Sequence, residues 1–408
     1  MQRGLKIGIS FLRNIGVILI DSLLKLTLLA TQRKSHIIGI VRLDDIGDFV
    51  TWLKCAEQIR NHYSENQIIL IANKSWVKLA QVLPYWNEVI SIDVQSFKWN
   101  FSYRWKIYRQ IRALHLETII QPTHICCLVM GDSVARLSGA KYKIGSEGEA
   151  TSRKSGWQKR IANGWYTQLI PASPNPLMII NRNLEFTNYL TNSKREIEPY
   201  EMPILSVTNS PIINQNRYFL IFPGSNGKYK MWPKEKFASL ASDLQLLTGY
   251  IPIICGSLNE IDLCNWIANH SKKAVSIAGK TSLPEIVEII RSAEFVIGND
   301  SGSIHIAATV NTVSFSILGG GHFGLFLPYP ENWKSEKPNI INYKMPCYGC
   351  GWRCHFTSST EKPFRCISDI SVDFALESIQ KELIRKGVIS HQTNQIKKGL
   401  LLGVRPKS

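Results

Sequence analysis

The chain alternates between short β-branched runs and amphipathic stretches, first over residues 36–138 and again over residues 217–318. Such alternation is typical of βαβ units, so each part is predicted to form a parallel sheet with helices on its faces. The predicted strands are 36–43, 67–72, 88–92, 117–121, 217–222, 250–255, 274–277, 295–298 and 312–318. The predicted helices are 48–63, 75–82, 102–115, 130–138, 233–247, 260–270, 283–292 and 302–308.

Two arrays of this kind predict an α/β protein with two doubly wound, Rossmann-like domains. The length of 408 residues agrees, because it exceeds the usual size of a single hydrophobic core. Ligands bind at the carboxyl ends of the strands in such sheets, so we expect the site in a cleft between the domains. The predicted segments are a basic amphipathic helix (1–35), a first domain (36–205), a linker (206–216), a second domain (217–368), and a C-terminal helix with a basic tail (369–408).

The net charge of +17 is concentrated at the two ends of the chain, with +5 in residues 1–35 and +6 in residues 381–408. The hydrophobic fraction of 44% and the charged fraction of 19% exclude a disordered, collagen-like or coiled-coil chain. A nucleic-acid-binding protein would more often carry a basic stripe on its folded body, so no nucleic acid partner is expected. Basic ends fit an anionic lipid surface better.

The N-terminal segment 9–30 is strongly apolar but contains Arg13, Asp21 and Lys25. Its longest charge-free run, residues 14–20, is much shorter than the roughly 18 residues that a membrane-spanning helix needs. The pattern predicts an amphipathic helix that lies on the cytoplasmic face of a membrane, and two alternatives are a helix packed on the protein's own surface and a true anchor. The polar positions of the segment recur at helical spacing, which would put them on one stripe: Arg3, Lys6, Ser10, Asn14, Asp21 and Lys25.

The first motif that could take part in catalysis is RLDDIGD at residues 42–48, and Asp48 is its last residue. This motif takes the chain from a strand through a turn into a helix. An acidic residue at a helix start can simply be a cap. Alternatively, a carboxylate at the end of a strand can act as a general base toward an attacking hydroxyl group.

Two further motifs predict an anion site in the second domain. The sequence FPGSNGKYKMWP at residues 222–233 combines a strand end, a small-residue turn and lysines, which suits a phosphate group or a solvated loop. The sequence GNDSGSIHIAA at residues 298–308 leads into a helix whose first amides would point at an anion. His305 lies one turn into that helix, where a structural role and a ligand contact are both open.

Taken in order, these three motifs resemble those of the heptosyltransferase family of glycosyltransferases, family 9, and the resemblance covers roughly residues 36–380. The resemblance implies the GT-B fold. It also implies an inverting sugar transfer, without a metal or other cofactor, from a nucleotide diphosphate sugar such as ADP-heptose. The implied acceptor is a lipopolysaccharide core or another bacterial cell-surface glycan.

The resemblance also implies roles for individual residues. Asp48 matches the catalytic base, and Lys230 matches the lysine that contacts the donor diphosphate. The residues implied in donor binding are Ser225, Asn226, Glu260, Asp300, Ser301, Gly302 and His305. The basic segment 141–165 falls where an acceptor loop is expected, and the candidate acceptor contacts are Arg42, Lys154 and Arg160.

A cluster of four cysteines lies near the end of the second domain, at Cys347, Cys350, Cys354 and Cys366. Their spacing allows a structural zinc site, and the alternative is a structural loop with a disulfide or free thiols. For the whole chain, the main alternative to an enzyme is a catalytically silent scaffold on the membrane that binds a nucleotide or a glycan. A nucleotide-dependent oxidoreductase is disfavoured because the turn after the first strand lacks the GxGxxG pattern.

Overall fold

The computed structural model describes residues 2–28, 35–125, 128–148, 156–206 and 217–390. The chain divides into two compact units, Met1–Ile197 and Glu198–Ser408. The division falls shortly before the predicted linker, nearly all of which lies outside the described residues. The N-terminal helix is part of the first unit.

The first unit contains a sheet of six parallel strands: β1 (Ile37–Arg42), β2 (Gln67–Asn73), β3 (Glu88–Ile92), β4 (Thr118–Gln121), β5 (Tyr142–Ser146) and β6 (Gln168–Ile170). Its described helices are α1 (Gln2–Thr27), α2 (Ile46–His62), α3 (Val77–Gln81), α4 (Val94–Trp99), α5 (Phe101–Ala113), α6 (Gly131–Leu137), α7 (Gly156–Asn163) and α8 (Ile179–Leu190). The strands lie in the order β3-β2-β1-β4-β5-β6.

The second unit repeats this design with another six parallel strands: β7 (Tyr218–Phe222), β8 (Ile251–Ile254), β9 (Val275–Ser276), β10 (Val296–Asn299), β11 (Ser314–Ile317) and β12 (Asn339–Ile341). Its described helices are α9 (Lys234–Thr248), α10 (Ile261–Asn269), α11 (Leu283–Arg291), α12 (Gly302–Thr309), α13 (Arg365–Ser368) and α14 (Val372–Arg385). The strand order is β12-β11-β10-β7-β8-β9.

The two sheets have the same strand order, which is that of a doubly wound Rossmann-like sheet. The central strands are apolar along their length because helices cover both faces of a parallel sheet. For example, Ile40 of β1 pairs with Leu70 on one side and Ile120 on the other, and all three are buried. The chain direction across each sheet reverses beside its first strand, between β1 and β4 and between β7 and β10. Ligands bind beyond the carboxyl ends of the strands at such points.

Residues 140–190 carry more structure than the sequence pattern indicates. They contain β5, α7, β6 and α8. The strands β5 and β6 have five and three residues, and parts of each are exposed, so neither forms the long apolar run that marks a central strand. The same reason explains why β12, with three residues, was not predicted.

A buried ion pair holds α1 against the first unit. Asp21 is 2% exposed, and its carboxylate accepts hydrogen bonds from Arg104 Nε at 3.0 Å and Nη2 at 2.6 Å. The hydroxyl groups of Tyr108 and Ser133 donate to the same carboxylate at 3.1 and 2.6 Å. Asp21, one of the six positions of the predicted polar stripe, is therefore buried against the first unit. This part of α1 packs on the protein's own surface, as the first alternative required.

The opposite side of α1 exposes three leucines at helical spacing. Leu19, Leu23 and Leu26 are 60%, 63% and 81% exposed, and we call them the leucine face. Val17 and Leu28, on the inner side, belong to the hydrophobic core. Within the described ranges, no helix combines the length and the apolar character needed to cross a bilayer.

We predict that Arg104→Met strongly destabilises the first unit. The substitution leaves Asp21 buried without its cation, which costs about 3–5 kcal/mol of unfolding free energy. Urea unfolding followed by circular dichroism measures the loss. Lys74→Met is the matched control, because Lys74 pairs with Asp93 at 3.2 Å on the surface of the same unit and such pairs contribute less than about 1 kcal/mol. Equal losses in the two variants would contradict a structural role for the buried pair.

Candidate functional site

In the first unit, the turn after β1 is organised around one buried arginine. Arg42, the last residue of β1, is 1% exposed, and its Nη2 lies 2.8 Å from Asp44 Oδ2. The same nitrogen donates to the backbone carbonyl oxygen of Asp48 at 3.0 Å. The guanidinium carbon lies 5.0 Å from the ring centroid of Trp52. Arg42 thus joins the end of the strand to the first turn of α2.

The neighbouring strand fixes the same turn from the other side. The carbonyl oxygen of Asp44 accepts hydrogen bonds from Trp76 Nε1 at 2.9 Å and from Asn73 Nδ2 at 3.1 Å. The N-cap of α2 is Asp45, and Asp48 lies one turn further on, in the first turn of the helix. Asp48 is therefore not the cap, and its carboxylate lies where the helix dipole favours negative charge.

The electrostatic surroundings of Asp48 suit a proton acceptor. Burial raises the pKa of Asp48 to about 7, and the neighbouring Asp44 carboxylate adds to the rise while Arg42 opposes it. Burial also raises the pKa of Asp44. A carboxyl group with a pKa near neutral pH is well matched to general base catalysis, because a substantial fraction is deprotonated and that fraction is basic enough to take a proton.

The three candidate acceptor residues lie in different surroundings. Arg42 is buried, and its bonds to Asp44 and Asp48 point to a positioning role rather than an accessible contact. Lys154 lies outside the described residues. Arg160 is exposed on α7. An acceptor contact of these residues stays a prediction.

In the second unit, the loop after β7 is tied to the end of β10 by one buried amide. Asn299 is fully buried, and its Nδ2 donates to the Pro223 carbonyl oxygen at 2.6 Å. Its Oδ1 accepts a hydrogen bond from the Trp232 backbone N–H at 3.0 Å. One side chain therefore holds both ends of the loop 223–232. Inside this loop, Gly227 has a φ of 123°, a conformation that favours glycine.

The loop presents Lys230 toward the residues that follow β10. The positive charge of Lys230 lowers the pKa of Asp300, although burial of Asp300 raises it by more. Ser225 is half-buried and Asn226 is exposed in the same loop. The carboxylate of Glu260 lies against Gly224, since a Cβ at position 224 would clash with Glu260 Oε1. The donor candidates in this unit thus gather around the loop after β7.

The helix after β10 begins with the predicted small residues. Ser301 is the N-cap of α12, and its hydroxyl lies 2.9 Å from that of Ser303. Gly302 opens the helix, so the first amides and the positive end of the helix dipole are available to an anion. His305 is 2% exposed and its Nδ1 lies 2.9 Å from the Tyr329 hydroxyl. Burial lowers the pKa of His305 to about 4, so the ring is neutral at physiological pH.

Residues 347–366, which we call the four-cysteine segment, pack beside these loops of the second unit. Its cysteines are free thiols, and Gly349 donates a backbone hydrogen bond to Gly320 at 2.8 Å. In the part of the chain that the structure describes, no group of three or more His, Cys, Asp or Glu side chains could hold a metal ion. The zinc alternative for Cys347, Cys350, Cys354 and Cys366 therefore stays a prediction.

Comparison with known proteins agrees with this arrangement. The family model "Glycosyltransferase family 9 (heptosyltransferase)" matches residues 150–349. Lipopolysaccharide heptosyltransferase 3 of Escherichia coli K12 is 31% identical over 121 residues, which are 29% of this chain and 35% of that protein. Lipopolysaccharide heptosyltransferase 1 of Campylobacter coli is 23% identical over 365 residues, 84% of this chain and 98% of the relative. The alignment thus spans about a third of the first relative and nearly all of the second.

A solved structure supports the same assignment at the level of the fold. The structure of the E. coli ADP-heptose lipopolysaccharide heptosyltransferase II superposes with a TM-score of 0.61 at 17% identity, over 86% of this chain and 99% of the other. Together these comparisons support a glycosyltransferase of the heptosyltransferase family, family 9, with the GT-B fold, in agreement with the predicted family and fold class.

The structure also identifies two residues of this glycosyltransferase that the sequence analysis missed. Asn299 stands inside the motif GNDSGSIHIAA, but its hydrogen bonds reach residues 67 and 76 positions away, and no local pattern reveals them. Tyr329 lies outside all three motifs and becomes relevant only through its contact with His305. Asn299 holds the loop after β7, and Tyr329 contacts His305. The spacing of the motifs predicts neither contact.

We predict that Asn299→Leu disorders the loop after β7. The substitution keeps the size of the side chain but leaves the buried Pro223 carbonyl and Trp232 N–H without partners, which costs about 1–3 kcal/mol for each buried group. Chemical unfolding should report this loss, and limited proteolysis should report faster cleavage within residues 223–232. Asn339→Leu is the control, because Asn339 makes a single side-chain hydrogen bond in the same sheet, from its Nδ2 to the Ser314 carbonyl oxygen at 3.2 Å. A loss of stability no larger than that of the control, with unchanged cleavage of the loop, would contradict the role of the Asn299 amide.

Proposed function

We propose that this glycosyltransferase transfers a heptose or a related sugar from ADP-heptose to a lipopolysaccharide core or a related cell-surface glycan. The names of the relatives and of the superposed structure support this donor and acceptor. The observation that carries the proposal is a carboxylate in the first turn of α2, Asp48, whose pKa burial raises to about 7. Such a group is what an acceptor hydroxyl needs in order to become a nucleophile at neutral pH.

In the proposed reaction, Asp48 takes the proton of the acceptor hydroxyl as its oxygen attacks the anomeric carbon of the donor sugar. A new C–O bond forms on one face of the sugar, and the bond to the diphosphate breaks on the other face. The configuration at the anomeric carbon is therefore inverted. The nucleoside diphosphate leaves with the electron pair of the broken bond.

Lys230 and the first amides of α12 are proposed to stabilise the negative charge that develops on the departing diphosphate. Preorganised donors of this kind are worth about 3–4 kcal/mol each in the transition state. Asn299 supports Lys230 indirectly, because it fixes the ends of the loop that contains the lysine. Glu260 lies against the same loop and is proposed to bind the nucleoside ribose.

We further propose that the enzyme works at the inner face of the cytoplasmic membrane, where a lipid-linked acceptor would be found. The leucine face of α1 lies beside aromatic side chains of the α4–α5 region, since Trp105 Nε1 lies 3.3 Å from Thr27 Oγ1. Trp99, Phe101 and Trp105 are 39%, 40% and 36% exposed. Arg109 lies over the Trp105 ring at 4.6 Å. Exposed leucines with neighbouring tryptophans and cations match the chemistry of an anionic lipid surface.

The proposed reaction predicts that Asp48→Asn lowers kcat by about 10²–10⁴-fold while ADP still binds. In the wild type, kcat/KM should rise as the pH passes about 7, because Asp48 must be deprotonated to accept a proton. Transfer from ADP-heptose to a heptose-deficient lipopolysaccharide core, followed by mass spectrometry and ADP release, is the measurement. Asp93→Asn is the control, since Asp93 caps α4 in the same unit. Donor binding without any product in the wild type would instead favour the silent scaffold.

The membrane proposal predicts that a triple variant, Leu19→Ser, Leu23→Ser and Leu26→Ser, loses affinity for vesicles that contain phosphatidylglycerol. We expect at least a tenfold loss of affinity, because the serine side chains remove the apolar surface that membrane binding would otherwise bury. Co-sedimentation with vesicles measures the bound fraction. The control is Ile204→Ser with Leu246→Ser, which removes exposed apolar side chains from the second unit. Unchanged vesicle binding by the triple variant would exclude the leucine face as the lipid contact.

A further inference from the structure

The four-cysteine segment is hydrogen-bonded both to the glycine turn 319–321 after β11 and to the loop that contains Lys230. Gly349 and Gly351 donate backbone hydrogen bonds to Gly320 and Gly321, each at 2.8 Å. Further along the segment, Phe364 donates a backbone hydrogen bond to the Tyr229 carbonyl oxygen at 3.0 Å. The segment therefore connects the glycine turn after β11 with the loop that contains Lys230.

Trp352 is the side chain that fills the space between these two loops. Its backbone has a φ of 62°, a conformation that non-glycine residues rarely adopt. Its ring lies directly on the glycine turn, because a Cβ at position 319 would come within 2.8 Å of the ring and one at position 321 within 2.1 Å. Only glycine at these two positions leaves room for the indole. On its other side, the ring packs at 5.5 Å from Tyr229.

The ammonium group of Lys230 lies over the indole ring of Trp352. The Lys230 ammonium nitrogen lies 4.9 Å from the Trp352 ring centroid and 5.8 Å from that of Tyr229. A cation over the face of a tryptophan is attracted to the electron-rich ring, and tryptophan is the strongest of the aromatic partners. A lysine side chain is long and flexible, so an aromatic surface beside its ammonium group limits the positions that the charge can take.

We propose that Trp352 is a positioning residue for Lys230, and that the cysteine-rich segment is in this way part of the donor site. The inference rests on the proposed function in so far as Lys230 contacts the donor diphosphate. Trp352 itself touches the lysine and the glycine turn. Its expected effect on the diphosphate therefore passes through the ammonium group of Lys230.

A double-mutant cycle with inorganic pyrophosphate as the probe tests this proposal, since pyrophosphate carries neither nucleoside nor sugar. Trp352→Leu should weaken pyrophosphate binding about tenfold, by the loss of the cation–π contact. Trp352→Phe keeps an aromatic face and should restore most of the affinity. In a Lys230→Met background, Trp352→Leu should cause no further loss, because residues that act through one another are not additive.

A second lysine–tryptophan contact of the same unit supplies the matched control. Lys234 lies 4.1 Å from the Trp266 ring, and Trp266→Leu should leave pyrophosphate affinity unchanged. Additive losses in Trp352→Leu and Lys230→Met, or equal losses in the leucine and phenylalanine variants, would overturn the proposal. Failure of transfer from ADP-heptose would instead reject the proposed donor, and the outcome of the pyrophosphate cycle does not depend on it.

Discussion

The pairing of β7 with β10 is the constraint on which the chemistry of the second unit depends. Because both strands are parallel and adjacent, the loop after β7 and the helix after β10 start from the same edge of the sheet. Asn299, at the end of β10, then reaches across this edge and holds both ends of the loop. The position of Lys230 relative to Asp300 follows from this backbone arrangement, and the side chains only complete it.

In the first unit, the constraint at the equivalent edge of the sheet concerns the protonation of Asp48. Asp48 has to remain basic, which requires burial, and it has to be deprotonated, which burial opposes. The ion pair of Arg42 with Asp44 moderates this conflict, because the arginine lowers the pKa of Asp48 while the second carboxylate raises it. The pKa of Asp48, about 7, reflects the balance between desolvation and three nearby charges: Arg42, Asp44 and Asp45.

The sequence predicts most of the central sheet because its strands are continuous apolar runs. The predicted ranges 36–43 and 67–72 agree with β1 and β2 to within one residue at each end. The edge strands β6 and β12 have no predicted counterpart, since three residues cannot display a period. Among site residues, motif spacing identifies Asp48, Lys230 and Asp300. It does not identify long-range partners such as Asn299 or Trp352, whose contacts exist only after the loops have folded together.

Asp21 illustrates the same limit from the opposite direction. Its spacing in an apolar helix places it on a polar stripe, yet its partner Arg104 lies 83 positions away in the sequence. A helical period can show which side chains share a face, but it cannot show which face is covered.

The close contact between the indole of Trp352 and the turn 319–321 has a consequence for how this part of the protein can change over time. A larger side chain at position 319 or 321 is compatible with the fold only if the tryptophan is lost or reoriented. These sites are therefore expected to evolve together. A lineage that abandoned the tryptophan would be released from keeping the glycine at 321, whereas Ile367 would still crowd a side chain at 319.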